Sequence, residues 1–437
     1  MKRTLIATGV AAGLLALPGL SVAQGGGFVE DAKANLSLRN LYFDGDYKNE
    51  DDAPSDREWG QGFMLQFNSG YTQGLIGFGM DVSARAGIRL DSGGRNPSEP
   101  GDSRVPGNLF PLKDNGKAES EFSQIDFAGK AKVSNTELVI GRGLEPNLPI
   151  AKRNDGRLLP QTYSGATLTS NEIDNLTLRA GQFDEASGRN WKGYDGLRMA
   201  GGTERVNKFQ YVGGDAKLGD NLVASYYFAT LKDYYKQHYL GAVHTLPLGE
   251  GQLITDLRYF DSNSTGANSS SDRIATGYAS AGVDNNGEVD NQAMSAMFTY
   301  KRSNHALGLG YQEMRGDSNF AFLNNGGGAT AHLITDSQIG KFERAGEKTW
   351  VGQYNYNFAD YVPGLSFTAK YLRGSDFDTV ADTGDKEWER DLRLDYTVQN
   401  GFLKDMGVSL RHASLRSDAT ADQDQLRVYL TYNFVLL

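Results

Sequence analysis

The amino-acid sequence predicts an all-β protein, a transmembrane antiparallel β-barrel of eighteen strands with long extracellular loops and short periplasmic turns. Three observations support this prediction. Long segments alternate strictly between apolar and polar residues, the second face of these segments carries charges, and the connections divide into short and long ones. Eighteen or nineteen such segments can be counted, and bacterial single-chain barrels have an even number of strands, which favours eighteen.

The clearest alternation covers residues 76–90. This run is much longer than an ordinary globular strand of about 5–6 residues, and it is long enough for a tilted membrane strand of about 9–11 residues. Its second face includes Asp81, Arg85 and Arg89, so that face does not belong to a packed core. The apolar face consists of Ile76, Phe78, Met80, Val82, Ala84, Ala86, Ile88 and Leu90. The same period recurs over residues 34–43, 175–183, 365–372 and 391–398.

The carboxyl terminus also reads as a strand. Residues 425–437 set Leu426, Val428 and Leu430 against Arg427 and Tyr429. We expect this last strand to pair with the first one, near residues 34–43, because an open sheet edge would leave unpaired backbone groups in lipid. The outer-membrane assembly machinery is expected to read such a strand. In many barrels it favours a terminal Phe, whereas this chain ends in Leu437 with Phe434 nearby.

The connections fall into two groups. Tight turns are predicted at residues 71–74, 134–135, 218–221, 247–251 and 303–304, and long loops rich in Gly, Asn, Asp and Ser at 92–120, 143–162, 261–291 and 316–346. Long loops without secondary structure are unusual inside a compact soluble domain. A soluble all-β sandwich is the alternative, but its inner face should not carry repeated arginines.

The amino terminus predicts export. Residues 1–23 combine Lys2 and Arg3, an apolar stretch at 5–17 and a small-residue cleavage pattern ending at Ala23, which is typical of a cleaved signal peptide. A membrane anchor is the alternative, but the apolar stretch is short for a bilayer. Residues 24–437 are then one transmembrane barrel, integral to the bacterial outer membrane. The absence of cysteine excludes disulfides and Cys-based metal sites.

Odd and even positions of a strand point to opposite faces, and this parity predicts a cation-rich lumen, although the net charge is −10. If the apolar faces meet lipid, the lumen contains Arg39, Arg85, Arg89, Lys130, Lys132, Arg179, Arg258, Lys370, Arg393, Arg411 and Arg427. The acids Asp81, Asp126, Asp256, Asp391 and Asp395 share it. Arginine binds carboxylates through two hydrogen bonds, so a row of such groups would draw an anion along the wall. Alternatively, these arginines only neutralise the lumen acids and stiffen the barrel.

Residues 142–163 form the least strand-like stretch. They contain three of the 11 prolines together with Arg142, Lys152, Arg153 and Arg157. We expect a loop that folds inward and narrows the pore, and a capping surface loop is the alternative.

Other chemistry is sparse. The five histidines show no metal-ligand spacing and no nucleophile motif occurs, so we expect no metal, no cofactor and no enzymatic activity. An outer-membrane hydrolase with a site assembled across strands is a further alternative.

Several stretches resemble the OprD family of substrate-specific outer-membrane porins of pseudomonads. They are FVEDAKANLSLRNLYF, WGQGFMLQFNSGYTQGLIGFGMDV, NDGRLLPQTYSG, DYYKQHYLG, GEKTWVGQYNYNF and VPGLSFTAKYL, and they follow one another along the whole mature chain. The resemblance implies an eighteen-stranded barrel, an inward constriction loop and a ladder of Arg and Lys down one wall. It also implies passive diffusion of small carboxylate-bearing nutrients.

Within that family, residues 235–241, 333–350 and 387–396 resemble the branch that prefers aromatic acids such as vanillate and benzoate. A channel for basic amino acids or peptides is the alternative. The predicted substrate-binding residues are Arg39, Arg157, Arg179, Arg258, Lys370, Arg393, Arg411 and Arg427. Lys370 stands where some relatives would have Arg, which would weaken the carboxylate contact there. Arg390 matches the WERD motif, but its parity places it outward or at the rim.

The expected partners are small carboxylates, outer-membrane lipid and lipopolysaccharide, and the assembly machinery, without nucleic acid. The oligomeric state is expected to be a monomer or a weak homotrimer.

Overall fold

Long antiparallel strands, each paired with the next one in sequence, make up almost the whole molecule. The structure is a computed structural model that describes residues 26–48, 55–92, 106–282, 286–325, 330–377 and 384–437. The predicted signal peptide at residues 1–23 lies outside the described residues.

The strands, in chain order, are β1 (Lys33–Tyr47), β2 (Asp56–Asn68), β3 (Gly77–Asp91), β4 (Glu121–Val133), β5 (Thr136–Leu144), β6 (Thr162–Ile173), β7 (Leu176–Ser187), β8 (Phe209–Leu218), β9 (Leu222–Leu231), β10 (Tyr235–Leu248), β11 (Gly251–Ser264), β12 (Asp290–Arg302), β13 (His305–Arg315), β14 (Lys348–Asn357), β15 (Leu365–Phe377), β16 (Asp385–Thr397), β17 (Gly407–Ser417) and β18 (Gln423–Val435). The main sheet of 19 strands consists of these and the two-residue strand Asp195–Gly196, which pairs with β7. Residues Asn147–Leu148 and Ala151–Lys152 form a separate small hairpin, and Gly266–Ser269 form a 3₁₀ helix.

The sheet closes through its first and last strands. β1 pairs with β18 from Asn35 opposite Val435 to Tyr47 opposite Gln423, so neither strand leaves an open edge. The predicted eighteen-stranded antiparallel barrel, and the pairing of its two terminal strands, are thereby confirmed. No helix among the described residues is long and apolar enough to cross a membrane.

The two faces of each strand differ as the alternation predicts. On β3, the side chain of Phe78 is 57% exposed on the outer face, whereas Arg85 on the inner face is only 5% exposed. The outer face also exposes large apolar residues on other strands, including Val212, Leu240 and Leu309. A closed barrel with such an outer surface needs lipid around it, because in water these apolar side chains would all be exposed to solvent at a cost in free energy.

The two-residue turns lie at one end of the barrel and the longest connections at the other. Residues 134–135, 249–250 and 303–304 are turns, whereas residues 92–120, 145–161, 265–289 and 316–347 are long connections. A further long connection, residues 188–208, was not predicted. In outer-membrane barrels the long loops are extracellular, and this sets the orientation of the chain.

Part of the inner wall is apolar, which parity alone did not predict. Leu41 and Phe43 of β1 are buried and pack with Leu109, Phe110 and Leu158 from the long connections. The connections therefore fill part of the lumen near its extracellular end. A larger cluster of aromatic and aliphatic residues fills the opposite side, from β4 to β13.

Candidate functional site in the lumen

Three arginines lie side by side on the inner wall. Arg393 of β16 is directly opposite Arg411 of β17, and Arg411 is directly opposite Arg427 of β18. Directly opposite residues in antiparallel strands have their Cα atoms about 5 Å apart. Because barrel strands tilt by about 35–45°, a row perpendicular to them also climbs along the barrel axis.

These three arginines differ in how their charges are compensated. Arg393 forms an ion pair with Asp395 at 2.6 Å. Arg411 donates from Nε to Ser409 Oγ at 3.0 Å, and its guanidinium lies 4.4 Å from the ring centroid of Tyr429. Arg427 donates to the neutral side chain of Gln425 at 2.9 Å. Among the described residues, no carboxylate comes within 4.0 Å of Arg411 or Arg427, so no ion pair offsets either positive charge.

The segment between β5 and β6, residues 145–161, touches this row. The carbonyl oxygen of Gly156 accepts hydrogen bonds from Tyr429 Oη at 3.1 Å and from Arg427 Nη1 at 3.4 Å. Arg39 of β1 pairs with Asp155 at 2.7 Å and donates to the carbonyl oxygen of Arg157 at 2.8 Å. Arg39 therefore fastens the segment to the wall, and its own charge is already compensated.

Arg157 projects from this segment into the lumen. Its guanidinium lies 4.5 Å from the ring centroid of Phe43, and that of Arg427 lies 5.5 Å from the same ring. Burial, followed by the positive charges of Arg427 and Arg189, holds the pKa of Arg157 well below its usual range. Arg157, Arg189 and Arg427 therefore crowd together here, and none of them forms an ion pair among the described residues.

Arg189 completes this group and was not predicted. It comes from the connection at residues 188–208, is only 6% exposed, and donates to Asn154 Oδ1 at 3.2 Å. Burial and the charge of Arg427 lower the pKa of Arg189 to about 10. The Nε atoms of Arg157 and Arg189 are buried and have no hydrogen-bond partner within the described part of the chain. Arg189 follows β7 in a segment with no periodicity, so no local pattern pointed to it.

A second connection, residues 316–347, also reaches the arginine row on the inner wall. Ile339 N and Gly340 N donate to Glu389 at 2.8 and 2.6 Å, and Arg427 Nη2 donates to the carbonyl oxygen of Gln338 at 2.6 Å. Lys370 donates to the carbonyl oxygens of Ile334 and Asp336, each at 3.1 Å. Lys370 thus holds the tip of this connection. The sequence predicted a long loop here but not its inward tip.

The two connections and the wall enclose a cavity of about 360 Å³. Its cationic lining residues are Arg157, Arg189, Lys341, Lys370, Arg393, Arg411 and Arg427, against the acids Asp336 and Asp391. A cavity with this excess of positive charge attracts small anions, and guanidinium groups fit carboxylates best.

Arg179 and Arg258 lie elsewhere on the wall. Arg179 forms an ion pair with Asp215 and donates to Tyr227 Oη at 2.9 Å. Arg258 pairs with Asp256 at 2.6 Å and donates to the carbonyl oxygen of His332 at 3.2 Å. Neither lines the cavity.

No group of acidic and histidine residues suited to a metal ion occurs among the described residues.

A closed barrel with an apolar outer surface and a cation-lined lumen defines an outer-membrane channel. Over residues 26–436 the sequence matches the model of the outer membrane porins of the OprD family, and the chain belongs to that family. It is therefore an integral protein of the bacterial outer membrane.

Individual relatives agree with this assignment. The chain is 34% identical to the porin-like protein GalP of Pseudomonas putida, over 96% of this chain and 96% of that one. The crystal structure of OccK8 (OprE) of Pseudomonas aeruginosa superimposes with a TM-score of 0.87 at 44% identity, covering 94% of this chain and 100% of that one. The crystal structure of Pseudomonas aeruginosa OpdK with vanillate gives a TM-score of 0.83 at 34% identity, with the same coverage.

Proposed function

We propose that this porin takes up small carboxylates by passive, substrate-selective diffusion, with aromatic acids such as benzoate and vanillate as its preferred substrates. The observation that carries the proposal is the group of Arg157, Arg189, Arg411 and Arg427 around one cavity, without a carboxylate in ion-pair range among the described residues. An entering carboxylate would supply the missing negative charge.

The aromatic residues beneath these arginines prepare them for binding. Tyr429 stacks under Arg411, and Phe43 lies between Arg157 and Arg427. Stacking fixes the plane of a guanidinium and leaves N–H groups at its edge for a ligand. Binding a carboxylate therefore costs less side-chain entropy at an oriented guanidinium than at a mobile lysine.

The row Arg393, Arg411, Arg427 gives a path rather than a single tight site. Each step between paired residues is about 5 Å, so a carboxylate can exchange one guanidinium for the next without returning to bulk water. A channel needs sites that are attractive enough to enter and weak enough to leave. The ion pair with Asp395 weakens the Arg393 end, which favours release there.

Support for an aromatic substrate comes from the relative OpdK, whose crystal structure contains vanillate.

A channel for basic amino acids is the second candidate, and a specific feature favours it. Asp336 and Asp391 line the same cavity, and Asp391 Oδ1 is buried with no hydrogen-bond partner within the described chain. These acids would attract a cationic group.

Uptake by proteoliposomes separates the two candidates. We expect labelled benzoate and vanillate to enter faster than L-arginine, and Arg157→Ala and Arg427→Ala to slow the acids. Arg302→Ala is the matched control, because Arg302 pairs with Glu250 at an exposed turn outside the cavity. Unchanged benzoate uptake in both lumen variants would refute the role of the arginines, and faster L-arginine entry would favour the second candidate.

A further inference from the structure

Two arginines on the outer, lipid-facing surface have no role in the lumen. Arg373 of β15 is directly opposite Trp350 of β14 on one side and Trp388 of β16 on the other. Arg390 of β16 is directly opposite Tyr371 of β15. Trp350 is 56% and Tyr371 46% exposed, so this face points towards lipid. The outward position that parity predicted for Arg390 is thus observed.

Other cations at the same rim already have acidic partners. Arg57 pairs with Asp44 at 3.0 Å, Arg315 with Glu313 at 2.8 Å and Arg416 with Asp424 at 2.9 Å. Arg373 and Arg390 are exposed, and the described residues provide neither of them with a carboxylate within 4.0 Å.

An exposed guanidinium on the lipid face requires an anion from outside the protein. Charged side chains there become more costly towards the bilayer centre and are tolerated near the interface. β15 ends at Phe377 and β16 begins at Asp385, on the side of the long connections, so both arginines lie towards the outer leaflet. The anionic groups at that level of the membrane are the phosphates of lipid head groups.

We propose that Arg373 and Arg390 form a binding site for the phosphate of an outer-leaflet lipid, the phosphorylated head group of lipopolysaccharide. The two residues are diagonal neighbours across β15 and β16, a relation that places Cβ atoms about 7–8 Å apart, within reach of one phosphate for two long side chains. On the crossing diagonal of the same four positions, the rings of Tyr371 and Trp388 stack at 6.1 Å with an angle of 28°, between the two arginines. These rings offer a flat apolar surface to the first part of an acyl chain.

Native mass spectrometry of the delipidated full-length barrel tests this site. Bisphosphorylated lipid A is titrated against the wild type and against Arg373→Gln/Arg390→Gln, and lipid A without phosphates is the matched ligand. The control protein is Glu313→Gln/Arg315→Gln, which removes a compensated pair from the same rim. Heat-modifiable migration and single-channel conductance confirm that each variant is a folded barrel.

We expect the double arginine variant to bind lipid A at least tenfold more weakly, since each surface cation contributes measurably to anionic lipid binding. The control should remain within twofold of the wild type, and lipid A without phosphates should bind the wild type at least tenfold more weakly. Equal binding of lipid A by the wild type and the arginine variant would overturn the proposal. So would equal binding of the lipid without phosphates. Displacement of lipid A by inorganic phosphate at equal concentration would assign the site to the free anion and overturn the lipid proposal.

Discussion

Replacing Arg411 by Gln tests the lumen mechanism at a cavity cation that has no ion-pair partner among the described residues. The change removes one full charge from the cavity while keeping a polar, shorter side chain. Within the described part of the chain, Arg411 makes a single side-chain hydrogen bond, to Ser409, so the fold loses little. A carboxylate about 4 Å from that charge gains about 1 kcal/mol in a water-like environment and about 4 kcal/mol near protein. After desolvation, a hydrogen bond to a charged group retains about 1.5–3 kcal/mol.

We therefore expect Arg411→Gln to weaken carboxylate binding by about 1.5 kcal/mol, which is about tenfold in the dissociation constant. Block of single-channel current by benzoate measures that constant directly. The matched control is Glu250→Gln/Arg302→Gln, because it removes an ion pair from an exposed turn outside the cavity. The reasoning is refuted if Arg411→Gln leaves the blocking constant unchanged, or if the control changes it as strongly.

Three further predictions concern the connections inside the lumen. Arg189→Gln should weaken block by a dicarboxylate such as phthalate more than block by benzoate, because Arg189 adds a cation to those on the wall; equal losses in bilayer recordings would contradict this. Burial raises the pKa of Glu343 from 4.5 to about 7, so docking of residues 316–347 should be strongest below pH 4.5 and weaken as the pH rises to 7. Hydrogen exchange should detect this loosening, and Glu343→Gln should reduce it. Gly374→Ala would place a Cβ atom against the buried Glu347 Oε1, so we expect a displaced connection and a larger single-channel conductance, whereas an unchanged conductance would show that the connection does not narrow the pore.

The barrel was predictable because its determinants are local. Period-two alternation, as in residues 76–90, indicates both a strand and its lipid-facing side, and turn residues separate one strand from the next. The pairing of β1 with β18 followed from the requirement that no edge remain open in lipid. These arguments need no knowledge of which residue lies opposite which.

Predicting the site, in contrast, requires the register between neighbouring strands. Parity placed Arg179 and Arg411 on the same face, but only the register between strands shows that Arg179 meets Asp215 while Arg411 has no acid nearby among the described residues. The inward tip at Gln338 and the buried Arg189 lie in connections, whose paths depend on contacts between segments distant in sequence. No periodic pattern encodes such contacts, so the sequence predicted most of the cavity's cations but neither Arg189 nor the way the cations are grouped.

The inward connections explain how charge and selectivity are combined. Arg427 contacts both of them, through the carbonyl oxygens of Gly156 and Gln338. Carbonyl oxygens satisfy its N–H groups without neutralising its charge. The same residue can therefore fasten two connections and still contribute a positive potential to the cavity.

The reversal potential of the open channel in a sodium benzoate gradient tests the central claim most directly. Because uncompensated guanidinium groups line the cavity, we predict the sign that corresponds to benzoate permeating faster than sodium. The potential should fall towards zero in Arg411→Gln/Arg427→Gln. A potential of the opposite sign in the wild type, with sodium as the more permeant ion, would contradict the account.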